Sequence, residues 1–197
     1  TTAALFILIF LNACESKKFA TGLEDEIYVV ADSTEYSEIY DALAQTFEIE
    51  INTPLPEKLF TLKRVSPNEI SRIQRKKNII IVAPLNSGSK TSEFINSIVD
   101  DSVKKLLSNE DFYVTKYDLW ARNQLVTVIS ANGMQELEFK ILKNKDKLLY
   151  AYQKISDDRL KESLYSAKYE RKEIEGKLLR DYGWIIYVQA EFRLAKS

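Results

Sequence analysis

The side chains that could do chemistry in this chain do not include histidine, because the sequence has none. Histidine is the commonest general base and the commonest zinc ligand in proteins. The single cysteine, Cys14, has no second thiol with which to form a disulfide or a metal site. We therefore expect no metal and no cofactor, and the remaining candidates are serine, carboxylate and aromatic groups.

A loop that follows an apolar strand ends in Lys90 and Thr91, as many phosphate-binding loops do. Phosphate loops need glycine where this chain has Pro84 and Ser89, because the backbone amides must wrap the phosphate at dihedral angles that these residues resist. The sequence therefore favours a plain surface loop over a nucleotide site.

Two pairs of adjacent aspartates, Asp100 with Asp101 and Asp157 with Asp158, could serve acid–base chemistry or bind Ca²⁺. Adjacent carboxylates at helix starts are more often caps that complement the helix dipole. Capping is the favoured interpretation of both pairs, and no catalytic residue is predicted from them.

The most distinctive polar and aromatic group is Trp120, Arg122 and Gln124, at a turn between two expected strands. Interpreted functionally, an indole, a guanidinium and an amide this close together form a small binding patch. Interpreted structurally, Trp120 packs on the sheet while Arg122 and Gln124 satisfy backbone groups, and this interpretation is favoured because large aromatic rings are usually buried.

The elements that must position these groups indicate an α+β fold, with a mixed β-sheet packed with helices over residues 26–131. Residues 78–83 are apolar on both faces, which is typical of a central strand. Residues 27–31 form a β-branched strand, and a helix with apolar residues at the 3.6 period follows to Phe47. Residues 112–118 and 124–130 alternate as an antiparallel pair of strands.

Residues 132–181 predict a long antiparallel helical hairpin, with Ser156, Asp157 and Asp158 interrupting the first helix and capping the second. Its outer faces are rich in Lys and Glu, which usually means a solvated face. Residues 184–188 then predict a strand. The segment 182–197 is therefore expected to be the start of a further strand segment that has been truncated.

The first residues of the chain have the pattern of an export signal. Residues 3–11 are nine uninterrupted apolar residues, within the roughly 7–15 of a signal-peptide core and short of the roughly 20 that span a bilayer. Leu11 and Ala13 before Cys14 resemble the bacterial lipobox, so we expect residues 1–13 to be a lipoprotein signal peptide and Cys14 to be lipidated. Residues 14–25 are polar and aperiodic, which predicts a short tether.

The charge balance limits the possible partners. The formal net charge is -1, with 28 Lys and Arg scattered among 29 Asp and Glu, so no field is strong enough to collect phosphate backbones. We expect no nucleic-acid partner. The expected partners are the membrane, through lipid on Cys14, and an envelope protein.

Short motifs carry a resemblance to a known family. They are the lipobox, the residues Glu26-Ile27-Tyr28-Val29-Val30, the segment from Pro54 to Phe60, residues 78–82, and Trp120-Ala121 with Gln124. In this order they resemble uncharacterised Bacteroidetes lipoproteins known as domain of unknown function family 4837. The resemblance implies an envelope lipoprotein that continues past residue 197, with a proline expected near Gln189 or Ala190, and it supplies no catalytic residues.

Three hypotheses for function follow. The leading one is a lipid-anchored protein of the bacterial cell envelope, on the periplasmic face of the outer membrane, that binds another protein or a ligand without catalysis. The alternative is an envelope hydrolase that uses serine or carboxylate residues brought together by the fold. A third makes the helical hairpin a docking arm in an envelope assembly.

Overall fold

A computed structural model gives the fold and describes residues 17–52, 54–109, 113–193 and 195. The expected signal peptide, residues 1–13, and the expected lipidation site, Cys14, lie outside the described residues. Both therefore stay predictions.

Most of the described chain is built from helices and strands around one five-stranded sheet. The first half contains β1 (Glu26–Val30), α1 (Ser33–Phe47), β2 (Glu50–Ile51), β3 (Glu57–Lys58), β4 (Thr61–Val65), a 3₁₀ turn (Pro67–Glu69), α2 (Ile70–Ile73) and β5 (Asn78–Val82). The second half contains α3 (Lys90–Ile98), α4 (Asp101–Leu107), β6 (Val114–Tyr117), β7 (Leu125–Ile129), α5 (Met134–Lys143), α6 (Lys145–Leu164), a 3₁₀ turn (Ala167–Tyr169) and α7 (Lys172–Tyr182).

The sheet has the strand order β4-β1-β5-β7-β6. Strands β4, β1, β5 and β7 are parallel, and β6 runs antiparallel to β7 at one edge of the sheet. A separate two-stranded ribbon pairs β2 with β3. The mixed sheet and its helices confirm the predicted α+β class, and β6 with β7 confirms the predicted antiparallel pair.

The helices cover both faces of the sheet and enclose two apolar cores. One core lies under α1, α5 and α6 and includes Phe47, Leu137 and Tyr152. The other lies under α2, α3 and α4 and includes Ile95. All five residues of β5 are buried, because this central strand faces a core on each side. The predicted boundary between residues 131 and 132 therefore separates elements that share a core.

The predicted helical hairpin is not confirmed. The helix breaks at Asn144, between α5 and α6, and α6 then continues through Ser156, Asp157 and Asp158 without interruption. The prediction failed because these polar residues lie in α6 without Gly or Pro to stop the helix, and Asp158 forms an ion pair with Lys154 one turn earlier. α6 therefore reaches from the first core to the beginning of the sheet strands.

The strand predicted at residues 184–188 is also absent, since these residues have no regular secondary structure. Gly183 ends α7 in the left-handed region, with φ of 71°, and the chain turns back along that helix. The Val188 amide donates to Glu175, and its carbonyl accepts from the Arg171 amide. The segment forms hydrogen bonds with α7 and its N-terminal cap and not with a strand of the sheet. It therefore has no neighbouring strand with which to form a β-sheet.

Within the described residues, no helix is both long enough and apolar enough to span a bilayer.

Candidate functional site

The segment from residue 17 to residue 24, which we call the N-terminal strap, lies across the starts of β5 and β7. Lys17 donates to the carbonyls of Asp118 and Leu119, at 2.7 and 3.1 Å. The Ala20 amide donates to the Arg122 carbonyl, and the Thr21 amide donates to the Arg75 carbonyl. The described part of the expected tether is thus docked on the domain, because the Lys17 side chain and the strap backbone donate to carbonyls of the loops that precede β5 and β7.

The strap ends at Glu24, whose carboxylate belongs to a partly buried ion cluster. One oxygen of Glu24 lies 2.6 Å from Nζ of Lys77, and the other accepts from Nη1 of Arg159 at 3.0 Å. Arg159 is only 7% exposed and also donates to Oδ1 of Asn78 and to the carbonyls of Asn123 and Lys77. This cluster joins the strap, the sheet and α6 at one point.

The cluster lowers the pKa of Glu24. Partial burial alone would raise that pKa, but hydrogen bonds and charge attraction from Lys77 and Arg159 outweigh the effect of burial. A carboxylate with a lowered pKa is a weaker base than usual, so Glu24 is suited to holding the structure together rather than to accepting protons.

We expect this shift to make stability depend on pH. A carboxyl group whose pKa is lower in the folded state contributes stability that is present above its ordinary pKa of 4.5 and is lost as the pH falls through the folded value. Urea unfolding at a series of acidic pH values should therefore give a shallower loss of stability for Glu24→Gln than for the wild type. Glu57→Gln removes the same charge from the exposed β3 and controls for net charge. Equal pH slopes for Glu24→Gln and the wild type would contradict the prediction.

A groove of about 540 Å³ opens beside the cluster, between α6 and the residues that precede β1 and β4. Its lining is mostly polar, with carboxylates, two lysines and one exposed tyrosine. The residues that line it are Glu24, Asp25, Leu59, Phe60, Tyr150, Gln153, Lys154, Ser156, Asp157, Asp158 and Lys161. We call it the α6 groove.

The α6 groove brings carboxylates together with a serine, which is a minimal arrangement for hydrolysis. The Ser156 hydroxyl donates to Oε2 of Glu24 at 3.3 Å. Glu24 is already ion-paired and has a lowered pKa, so it is poorly suited to activating that hydroxyl. The groove can bind a polar or cationic group more readily than it can move a proton.

A second depression, of about 400 Å³, lies on the other side of the ion cluster. It shares Glu24 with the α6 groove and is also lined by Lys77 and Arg159. Phe19 of the strap and Tyr169 of the second 3₁₀ turn contribute aromatic rings. The ion cluster therefore lies between the α6 groove and the second depression.

Trp120, Arg122 and Gln124 make different contacts in the structure. Gln124 is fully buried, accepts from the Trp120 and Ala121 amides, and donates to the carbonyls of Gln74 and Lys76. Trp120 packs against the second core, whereas Arg122 is exposed and its guanidinium lies 4.5 Å from the centre of the Phe19 ring. All of these contacts are structural, and binding by this patch stays a prediction.

The remaining candidates from the sequence are the two aspartate pairs and the loop that ends in Lys90 and Thr91. Asp100 caps α4, since its carboxylate accepts from the Val103 amide at 2.9 Å. Asp157 and Asp158 lie inside α6 and cap nothing, contrary to expectation. At the start of α3, the amide and the hydroxyl of Thr91 both donate to the carboxylate of Asp32, so the protein supplies its own anion where a phosphate would bind.

Groups of three or more His, Cys, Asp or Glu that could hold a metal ion are absent from the part of the chain that the structure describes.

Sequence reasoning missed Glu24 and Arg159. Glu24 fell in the expected tether, where nothing in its surroundings distinguished it. Arg159 did have a signal: it follows Tyr152 and Ile155 by seven and four residues, so the helical period places it on the same inward face. A charged residue on such a face needs a buried partner.

Comparison with known proteins identifies the kind of domain. A family model described as "Domain of unknown function (DUF8532)" matches residues 20–165, and the chain belongs to this family. The match begins within the strap and ends just after α6. It agrees with the expectation of an uncharacterised domain, but the family is not family 4837, and the match does not indicate a Bacteroidetes origin. No curated protein and no solved structure matches the chain.

Proposed function

We propose that the protein is a lipid-anchored component of the bacterial cell envelope that binds a partner protein without catalysis. The anchor is a diacylglycerol thioether on Cys14, with residues 1–13 removed by cleavage before that cysteine. Support for the anchor comes from the apolar run, the lipobox-like residues Leu11 and Ala13, and the lack of a histidine to make Cys14 catalytic. Two or more acyl chains hold a protein stably on a membrane.

The proposed location is the periplasmic face of the outer membrane of a Bacteroidetes species. Glu15, Ser16, Lys17 and Lys18 follow the cysteine, and this is not the acidic run associated with export to the cell surface in that group. The Bacteroidetes origin is proposed from the short motifs alone, because the family model that matches the chain is a different one.

The proposal of partner binding rests on the α6 groove. Two of its carboxylates, Glu24 and Asp158, are in ion pairs within the domain. Asp25 and Asp157 are exposed at its edge, and Tyr150 presents a ring that is 64% exposed. Exposed carboxylates beside an aromatic face suit a segment of a partner protein that bears Lys or Arg.

The alternative is a hydrolase that uses Ser156 with Glu24. The hydrogen bond between them favours it, but the ion pairs of Glu24 oppose it, as described above. Incubation with chromogenic ester substrates tests the alternative: turnover that Ser156→Ala abolishes would establish the hydrolase and overturn the proposal.

Two measurements test the proposal. Mass spectrometry of the protein purified from its native envelope should find Cys14 at the amino terminus with a diacylglycerol adduct. An intact apolar opening or a free thiol would contradict the anchor.

Capture of partners by the lipidated protein from the same envelope should recover a protein whose yield falls at least about fivefold for Asp25→Lys with Asp157→Lys, because two attractive charges become repulsive. Asp146→Lys with Glu138→Lys makes the same change in net charge at exposed positions outside the groove and should leave the yield unchanged. Equal loss for both double variants, or no specific partner, would contradict the α6 groove as the binding site.

A further inference from the structure

The N-terminal strap carries an exposed cationic surface in a chain whose formal net charge is -1. Lys17 and Lys18 belong to the strap, and Arg75 and Arg122 belong to the loops that precede β5 and β7. All four side chains are exposed. Phe19 and Leu23, which are 52% and 60% exposed, add apolar surface beside them. We call these six residues the basic face.

The basic face is held in a defined conformation. Nη2 of Arg75 donates to the Phe19 carbonyl at 3.2 Å, and the Arg122 guanidinium lies over the Phe19 ring. Two carboxylates lie nearby: Asp118, which accepts from the Gln124 amide, and Glu162, which accepts from Asn123. The four basic residues are therefore exposed on a fixed surface, with the Lys17 ammonium group also bonded to the carbonyls of Asp118 and Leu119.

The strap also fixes how far this face can be from Cys14. Only two residues separate Cys14 from Lys17, so a fully extended chain spans about 10 Å between them. This span is close to the Debye length of about 8–10 Å at physiological ionic strength. Charges on the basic face would thus act on the headgroups of any bilayer that holds Cys14.

We propose that the basic face binds anionic phospholipid headgroups, which orients the domain with the starts of its sheet strands toward the membrane. This inference rests on the proposed anchor at Cys14. The matching charge and the exposed apolar side chains of Phe19 and Leu23 favour a lipid surface, because such side chains insert at the boundary of the headgroups. The α6 groove then opens close to the bilayer, within reach of partners at the membrane surface.

The test is sedimentation with lipid vesicles, using the chain from residue 14 onward with Cys14→Ser. This form lacks the apolar opening and any acyl chain, and it keeps every residue of both cores. A Lys or Arg near an anionic surface contributes a factor of about five in binding. We expect binding to vesicles that contain about one third phosphatidylglycerol, at least about tenfold weaker binding to pure phosphatidylcholine, and loss of the difference at high salt.

Lys18→Glu with Arg122→Glu should weaken binding to the anionic vesicles at least about tenfold. Lys105→Glu with Lys147→Glu makes the same change in net charge at exposed positions on α4 and α6 and should bind like the parent chain. Circular dichroism checks folding, and Lys18→Gln with Arg122→Gln replaces the first pair if it unfolds. Equal binding to both kinds of vesicle, or equal loss for both double variants, would overturn the inference.

This outcome is separate from that of the anchor. If vesicle binding is weak and Cys14 is lipidated, the proposed lipid binding by the basic face is wrong and the proposed anchor is correct. Strong, charge-dependent binding with an unmodified Cys14 has the opposite meaning: the face binds lipid, and the proposed anchor is wrong.

Discussion

Arg159→Ala should lower the free energy of unfolding by about 3 kcal/mol, a large part of the stability of a domain of this size. The substitution leaves Glu24 without one of its cations and leaves Asn78 and two carbonyls without their donor. We expect the lower end of the range for broken buried ion pairs, since the Glu24 side chain is still 32% accessible to water. Urea unfolding followed by circular dichroism measures the difference.

Lys161→Ala is the matched control, because this side chain is exposed on α6 two residues further on, and its effect should stay within about 0.5 kcal/mol. Arg159→Lys separates charge from geometry. A lysine keeps the charge but cannot reproduce the planar fork that reaches four acceptors, so it should restore less than half of the loss. Full stability in Arg159→Lys would mean that charge alone holds α6 at this position.

The second large effect is expected for Gln124→Ala, which should also lower the free energy of unfolding by about 3 kcal/mol. The buried amide group serves two backbone donors and two backbone acceptors, and each buried group left without a partner costs about 1–3 kcal/mol. Water entering the space left by the side chain would recover part of this loss. Thermal or urea unfolding measures the change.

Gln135→Ala removes the same side chain from an exposed position on α5 and should change stability by less than about 0.5 kcal/mol. The comparison also decides between the two interpretations of Trp120, Arg122 and Gln124. A small change in stability together with weaker capture of the envelope partner would make Gln124 a binding residue and would contradict the structural role.

Sequence patterns predicted the sheet well because burial imposes a period. Residues 78–83 lack a polar face, and the structure has β5 in the centre of the sheet with a core on each side. The helix ending at Phe47 follows from the 3.6 period. β6 and β7 pair as predicted, although all five residues of β7 are buried and no alternation of exposure marks that strand. These patterns are local, so one sequence is enough to identify them.

Contacts between distant segments could not be predicted in the same way. Lys17 and Asp118 are 101 residues apart, and the strap docks by backbone hydrogen bonds, which leave no mark on residue type. The continuity of α6 through Asp157 and Asp158 depends on Lys154 and on the buried Arg159, whose partner Glu24 is 135 residues away. Helix propensity and capping patterns alone favoured a break there.

Sequence patterns therefore identified almost none of the residues of the candidate site. Its groove is formed by α6 and by residues that precede β1 and β4, and only the parallel arrangement of those strands brings the two together. The named candidate patch included Gln124, whose amide group is wholly occupied by backbone. A polar residue type indicates the capacity to bind, but its partners decide whether that capacity is still available.

The two outer strands of the sheet bear on how the protein behaves at high concentration. An unpaired strand edge can template association with another chain, and charged side chains on the edge oppose this. Arg64 is exposed on β4, where Lys63 is paired with Glu26, and Lys116 is exposed on β6. Mutual repulsion between like edges should keep copies at high concentration from merging their sheets into fibrous aggregates.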